Sequence, residues 1–90
     1  MTLDEIKAAI QRGDYEDGGI AVLSEYIQAH PDDDEALTAR GLRHWSCGDR
    51  AAAIKDYLAA LRINPDSKAK MALKATNEIL DYYNKDLYNP

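Results

Sequence analysis

The fold is decided by residues 48–66, which read GDRAAAIKDYLAALRINPD. Gly48 can adopt the positive φ that ends a helix, and Asp49 can cap the helix that follows. Apolar residues then recur at the spacing of one helix face, at Ala53, Ile54, Tyr57, Ala60 and Leu61. Pro65 ends the segment, because it has no backbone donor and restricts the residue before it. The stretch predicts a turn followed by an amphipathic helix.

The same landmarks occur earlier in the chain. Pro31 and Pro65 are 34 residues apart, and Gly13 and Gly48, each followed by Asp, are 35 residues apart. Repetition at this period is the signature of stacked helix pairs. The first copy therefore carries one extra residue between its turn and its proline, and we expect that residue within 18–19, a pair of glycines.

This pattern predicts helices at about 3–12, 17–29, 34–46, 50–62 and 67–84, with a tail at 85–90. Thr2 and Glu5 have the spacing of a capping box at the start of the first helix. Short side chains at Gly41, Ala53 and Ala60 allow neighbouring helices to approach to about 8 Å. The sequence therefore predicts a single all-α domain.

The segment from Asp34 to Ser67 resembles one complete tetratricopeptide repeat. The residues that carry the resemblance stand in the family's order and spacing: Leu37, Gly41, Gly48-Asp49, Ala53-Ile54, Tyr57, Ala60-Leu61 and Asn64-Pro65-Asp66. Residues 1–33 resemble a degenerate repeat, and 67–84 look like the helix that ends such arrays. The resemblance implies antiparallel helix-turn-helix pairs, stacked as a short right-handed α-solenoid of about five helices.

Three positions depart from the family pattern. Gly19 stands in the first copy where Ala53 stands in the full repeat, His44 holds a slot that is usually aromatic, and Arg43 holds a slot that is usually small. These departures concern the packing of helices near residues 40–45.

The resemblance also implies a function, namely binding a peptide or a helix of a partner protein in a concave groove. The first helix of each pair lines that groove, so the expected contact residues on the third helix are Glu35, Thr38, Leu42, Trp45 and Ser46. An alternative for Trp45 is packing between helices. The family's clamp for a terminal carboxylate is missing, since Thr38, Leu42, Ala72 and Thr76 occupy its slots, which favours an apolar partner segment.

The last predicted helix and the tail suggest a second hypothesis. The apolar residues of that helix cover a wider arc than packing on one neighbour requires. Either the tail folds back over this arc, or a second copy of the chain or a partner covers it. The residues of such a self-associating module, which would form a homodimer, are Ile79, Tyr82, Tyr83, Leu87 and Tyr88.

Composition and motifs exclude several other classes. A net charge of −5 disfavours nucleic acid and anionic membrane surfaces as partners. The histidines and the single Cys47 lack zinc-ligand spacing, and the acids at 32–35 lack the spacing of a calcium loop, so we expect no metal and no cofactor. No catalytic motif is present, so we expect no enzyme. The lone thiol, with no signal peptide and no membrane span, predicts a cytoplasmic protein.

Overall fold

The computed structural model describes residues 1–76 of the chain. Its helices are α1 (Leu3–Gln11), α2 (Ile20–Ala29), α3 (Asp34–Ser46), α4 (Arg50–Ile63) and α5, which begins at residue 69 and continues to residue 76. No β-strand occurs in this part of the chain, and the predicted all-α fold of about five helices is confirmed. The predicted remainder of the last helix and the tail at 85–90 lie outside the described residues.

The helices stack as consecutive pairs. α1 and α2 form the first pair, α3 and α4 form the second, and α2 packs against α3 to join the two. The interface between α3 and α4 is the most extensive of these. α5 extends the stack, because Ala69 is fully buried in the same cluster as residues of α3 and α4.

The turn within each pair is the same hydrogen-bonded structure. Gly13 and Gly48 both have positive φ, at 76° and 86°. In each turn the glycine N–H donates to a carbonyl three residues back, and the N–H of the following Asp donates to one five residues back. This pairing defines a Schellman motif, which satisfies carbonyls that the helix end leaves free. The predicted role of both Gly-Asp pairs as turns is confirmed.

The helices α1, α3 and α4 each begin with a residue whose side chain caps the helix N-terminus. Thr2 and Glu5 form the predicted capping box on α1. The Asp33 carboxylate accepts bonds from the backbone N–H groups of Glu35 and Ala36 in the first turn of α3, and Asp49 accepts one from Ala52 at the start of α4. These bonds satisfy donors that have no partner inside the helix.

α2 begins three residues later than the sequence predicted, at Ile20 rather than at 17. Gly18 and Gly19 both have positive φ, at 72° and 90°, which is incompatible with a right-handed helix. Gly19 also lies against α1, since a Cβ there would be 2.5 Å from Cγ1 of Ile10. Gly19 therefore precedes its helix, whereas Ala53 lies inside α4. The cap comes from Asp17, whose carboxylate accepts bonds from the N–H groups of Gly19 and Ala21.

Two apolar clusters form the core. The first contains Leu3, Ile6, Leu23 and Ala36. The second contains Leu37, Ala53, Tyr57, Ala60 and Ala69. The small residues predicted to allow close helix packing, Gly41, Ala53 and Ala60, are all buried, so that prediction is confirmed.

A polar contact joins the two pairs. The guanidinium of Arg40 on α3 donates two bonds to the Asp56 carboxylate on α4, at 2.8 and 2.7 Å, and a third to the Ser24 hydroxyl on α2, at 3.1 Å. The hydrogen bonds from Arg40 to Asp56 raise the pKa of Arg40 above its ordinary value. Nε2 of His44 lies 3.7 Å from the same carboxylate, which places His44 in the interior contact of α3 with α4.

Candidate partner-binding groove

Two adjoining depressions lie along the face made by α1, α3 and the start of α5. The first, of about 420 Å³, lies between α3 and the segment that leads into α5. The second, of about 450 Å³, lies between α1 and α3. Because Lys7, Ala39 and Leu42 line both, the two depressions adjoin each other, and we refer to them together as the groove.

The middle of the groove is apolar. Leu42 is 49% exposed and lines both depressions. Ala39 lies beside it, Ala72 lines the first depression, and Ala8 and Ile10 line the second. An exposed leucine surrounded by short apolar side chains is a surface on which an apolar side chain of a partner can be desolvated.

Charged side chains border this apolar floor. Nζ of Lys7 lies 3.6 Å from the Glu35 carboxylate, so this ion pair joins α1 to α3 across the groove. Asp66 and Lys68 border the first depression, and Arg43 borders the second. Since Lys7 and Glu35 are both substantially exposed, their pairing contributes little to stability and leaves both available to a partner.

A pair of buried hydroxyls fixes the edge of the groove at α5. The Thr38 hydroxyl donates to the Asp34 carbonyl at 2.8 Å, and it lies 3.3 Å from the Ser67 hydroxyl. Because the only hydroxyl proton of Thr38 is used on Asp34, Ser67 is the donor between them. Ser67 in turn accepts a bond from the N–H of Ala69, which starts α5.

The structure brings three of the five expected contact residues together. Glu35, Thr38 and Leu42 line the first depression, although Thr38 is only 8% exposed. Ser46 is exposed and donates to the Leu42 carbonyl at the end of α3. The residues named for self-association, Ile79, Tyr82, Tyr83, Leu87 and Tyr88, lie outside the described residues.

Trp45 is not among the side chains that line the groove. It packs against the second core cluster, and the guanidinium carbon of Arg50 lies 5.1 Å from the centre of its ring. Trp45 comes one helical turn after Gly41, which faces α4, and therefore shares that side of α3. This arrangement matches the packing alternative for Trp45.

Sequence reasoning did not select the groove residues of other elements. Lys7, Ile10 and Lys68 belong to α1 and to the segment before α5. Their positions relative to α3 depend on how the helices pack against each other, which a repeat period does not specify. The 35-residue offset between the two Gly-Asp turns places Lys7 at the position equivalent to Leu42 and could have identified it, whereas Ile10 and Lys68 have no such signal.

Chain-wide similarity places the fold among known structures. The sequence matches no family model and no curated protein. It is similar to the solution NMR structure of the Bacteroides fragilis protein BF1650, with a TM-score of 0.78 and 39% sequence identity, over 98% of this chain and 89% of that one.

The chain belongs to the family of BF1650.

Since the similarity spans nearly all of both chains, the succession of helices is an architecture common to these two members of the BF1650 family. In the described part of this member, no group of three or more metal-ligating side chains comes together. None of its described helices is both long and apolar enough to cross a membrane.

Proposed function

We propose that this protein is a tetratricopeptide-type binding module that holds a peptide or a helix of a partner protein in the groove. The observation that carries the proposal is Leu42, a large apolar side chain that remains half exposed where two depressions meet. The turns, caps and small-residue packing of the two helix pairs support the repeat type. The exposed thiol of Cys47 supports a reducing compartment such as the cytoplasm.

The shape of the groove favours a continuous segment as its occupant. Leu42 and Ala39 lie on α3, between depressions bordered by α1 on one side and by the start of α5 on the other. A peptide that seats one apolar side chain on Leu42 can continue into both depressions. Its backbone then lies near the polar borders, which contain Glu35 and Lys68.

A pair of leucines provides a matched test. Leu42 lies in the groove and Leu58 on α4, and their exposures are similar at 49% and 42%. Peptides are selected on the full-length protein from a random library flanked by fixed linkers. Leu42→Ser is expected to abolish retention of the selected peptides, whereas Leu58→Ser retains them. Equal retention by the two variants, with circular dichroism showing that both are folded, would contradict the proposed site.

A second candidate function, self-association through α5 and the residues after it, is favoured by one observation. Met71 on α5 is 79% exposed, the largest exposed fraction among the large apolar side chains of the described residues. Ala75, one turn further along the same helix, is also exposed. Light scattering at low and high protein concentration tests this function: a concentration-dependent mass that Met71→Lys abolishes supports it, and a constant monomer mass removes it.

A further inference from the structure

We propose that the partner segment carries an Asp or Glu side chain that pairs with Arg43, next to the apolar side chain that contacts Leu42. This inference depends on the proposed function and specifies the chemistry of the segment that the groove accepts. It follows from a cation at the edge of the groove that has no counter-ion among the described residues.

Arg43 and Arg40 lie on the same helix in contrasting surroundings. Arg40 is paired, because two of its bonds reach the Asp56 carboxylate and a third reaches Ser24. Arg43 is half-buried, yet within residues 1–76 no carboxylate lies within ion-pair distance of it, and its Nε is fully buried without a hydrogen-bond partner. A partly desolvated guanidinium without a carboxylate partner is unfavourable, and because Nε is enclosed by the protein, a carboxylate of a partner would pair with the Nη groups.

Shape, rather than charge, holds the Arg43 side chain in this position. The guanidinium lies over Gly18, where a Cβ would be 2.8 Å from Nη2 and 3.0 Å from Nε. Gly18 has a φ of 72°, in the turn where the first repeat carries its extra residue. The absence of a side chain at Gly18 thus provides the space that a large residue at position 43 requires.

The surroundings of Arg43 favour an acidic residue on a segment that is otherwise apolar. The second depression is lined by two cations, Lys7 and Arg43, and by one carboxylate, Asp4. Lys7 pairs with Glu35, whereas Arg43 has no carboxylate within ion-pair distance among residues 1–76. Leu42 is the adjacent residue of α3 and lines the same depression, so an acidic and an apolar side chain of one segment can reach both. Arg is suited to this role, since its planar fork binds a carboxylate through two parallel bonds.

The acidic side chain also provides specificity. The protein has a net charge of −5, so an acidic segment is repelled by most of its surface. Pairing with Arg43 therefore favours one register of the segment, because a placement away from the cations of the groove leaves the repulsion in place. An apolar contact alone, such as that on Leu42, does not define a register.

Peptide selection on variants of the full-length protein tests this inference. Wild-type protein and Arg62→Gln, a control on the exposed end of α4, are expected to retain peptides that combine a large apolar residue with Asp or Glu. Arg43→Gln is expected to retain apolar peptides without enrichment of acidic residues. Acidic enrichment that is equal in Arg43→Gln, or absent in wild type, overturns the inference while leaving the proposed function intact. Failure to retain any peptide overturns both.

A synthetic peptide from the wild-type selection gives a quantitative check. Replacing its acidic residue by Asn or Gln is expected to weaken binding to wild type about tenfold or more, the usual size of a lost hydrogen bond to a charged group. The same replacement should leave affinity for Arg43→Gln unchanged, and Arg43→Lys should show an intermediate loss because it keeps the charge without the fork. Equal losses in wild type and Arg43→Gln would assign the carboxylate to another cation. Urea midpoints close to wild type show that each variant is folded.

Discussion

The ring of Tyr57 occupies the place that a side chain at Gly41 would take. A Cβ built on Gly41 would lie 2.5 Å from Cε1 and 2.8 Å from Cδ1 of Tyr57, and 3.3 Å from the Ala53 carbonyl oxygen. Tyr57 is 1% exposed and cannot move aside without displacing the second core cluster. The packing of α3 against α4 therefore requires glycine at position 41.

Gly41→Ala is expected to destabilise the protein by about 1–3 kcal/mol, in spite of alanine's better helix propensity, because the added methyl group overpacks a closed interface. Urea unfolding monitored by circular dichroism measures the change. In a Tyr57→Leu background the ring is absent, and the additional cost of Gly41→Ala should largely disappear. An equal cost in both backgrounds would show that Tyr57 is not what restricts position 41.

The second prediction concerns the ion pair between α3 and α4. The Asp56 side chain is 5% exposed and accepts both bonds from Arg40. Asp56→Ala leaves the guanidinium without its partner and should cost about 3–5 kcal/mol. Replacing Arg40 and Asp56 together by leucine should cost much less, since no buried charge is left unpaired.

Thermal unfolding distinguishes these variants. The control is Asp14→Ala, which removes an equally direct ion pair with Arg12, at 2.9 Å, from an exposed position. That change should leave the unfolding temperature nearly unaltered, as is usual for surface pairs. An Asp56→Ala protein as stable as the control would show that the bonds to Arg40 do not contribute to folding.

The third prediction concerns alkaline pH. Burial of the Tyr57 ring, and secondarily the charge of Asp56, raise the pKa of Tyr57 above its ordinary value. The folded state therefore keeps its proton at a pH where the unfolded state has lost it. Stability is fully present below the unfolded pKa of about 10, and it falls by up to about 1.4 kcal/mol per pH unit as the pH rises from there towards the folded pKa.

Tyr57→Phe keeps the aromatic ring and removes the hydroxyl group that titrates. Its urea midpoint should fall less than that of wild type when the pH is raised from neutral to about 11, above the ordinary tyrosine pKa. Tyr26→Phe is a useful comparison, because a hydrogen bond to the Asp33 carboxylate raises the pKa of Tyr26 as well. Identical alkaline profiles for wild type and Tyr57→Phe would contradict the burial of Tyr57.

The fourth prediction concerns the start of α2. Hydrogen bonds from the backbone N–H groups of Ala21 and Gly19 lower the pKa of Asp17 below its ordinary value. Its contribution is therefore present above the unfolded pKa and is lost as the pH falls through the lower, folded pKa. Asp17→Ala should destabilise the protein at neutral pH and reduce the loss of stability in acid.

Glu16→Ala is the matched control for Asp17, since it removes a neighbouring exposed acid from the same turn. Urea midpoints of the two variants at neutral and acidic pH provide the comparison. If both variants behaved alike, the effect would come from net charge rather than from the cap.

The regular parts of this fold could be predicted because each depends on local chemistry. The Gly48 turn, the Asp49 cap and the end of α4 near Pro65 each follow from the backbone preferences of a few residues. The start of α2 could not be predicted in the same way. Whether two consecutive glycines are helical or have positive φ depends here on the approach of Ile10 to Gly19, which is a contact between helices.

Of the residues that line the groove, only those on α3 could be predicted from the sequence. The spacing of Glu35, Thr38 and Leu42 indicates one face of α3, and these residues do lie together. The same spacing does not fix the rotation of the helix, so it leaves two placements open for Trp45, the groove or packing between helices, and the structure has the second. The position of the Arg43 side chain could be found only from the structure, because it depends on the space above Gly18.

Amide chemical-shift mapping by NMR, with a selected peptide titrated into the full-length protein, shows where the partner segment binds. The largest shifts are expected in the groove, at Lys7, Ala39, Leu42 and Ser67. Shifts concentrated instead on the exposed sides of α2 and α4, at residues such as Glu25, Lys55 and Leu58, would contradict binding in the groove.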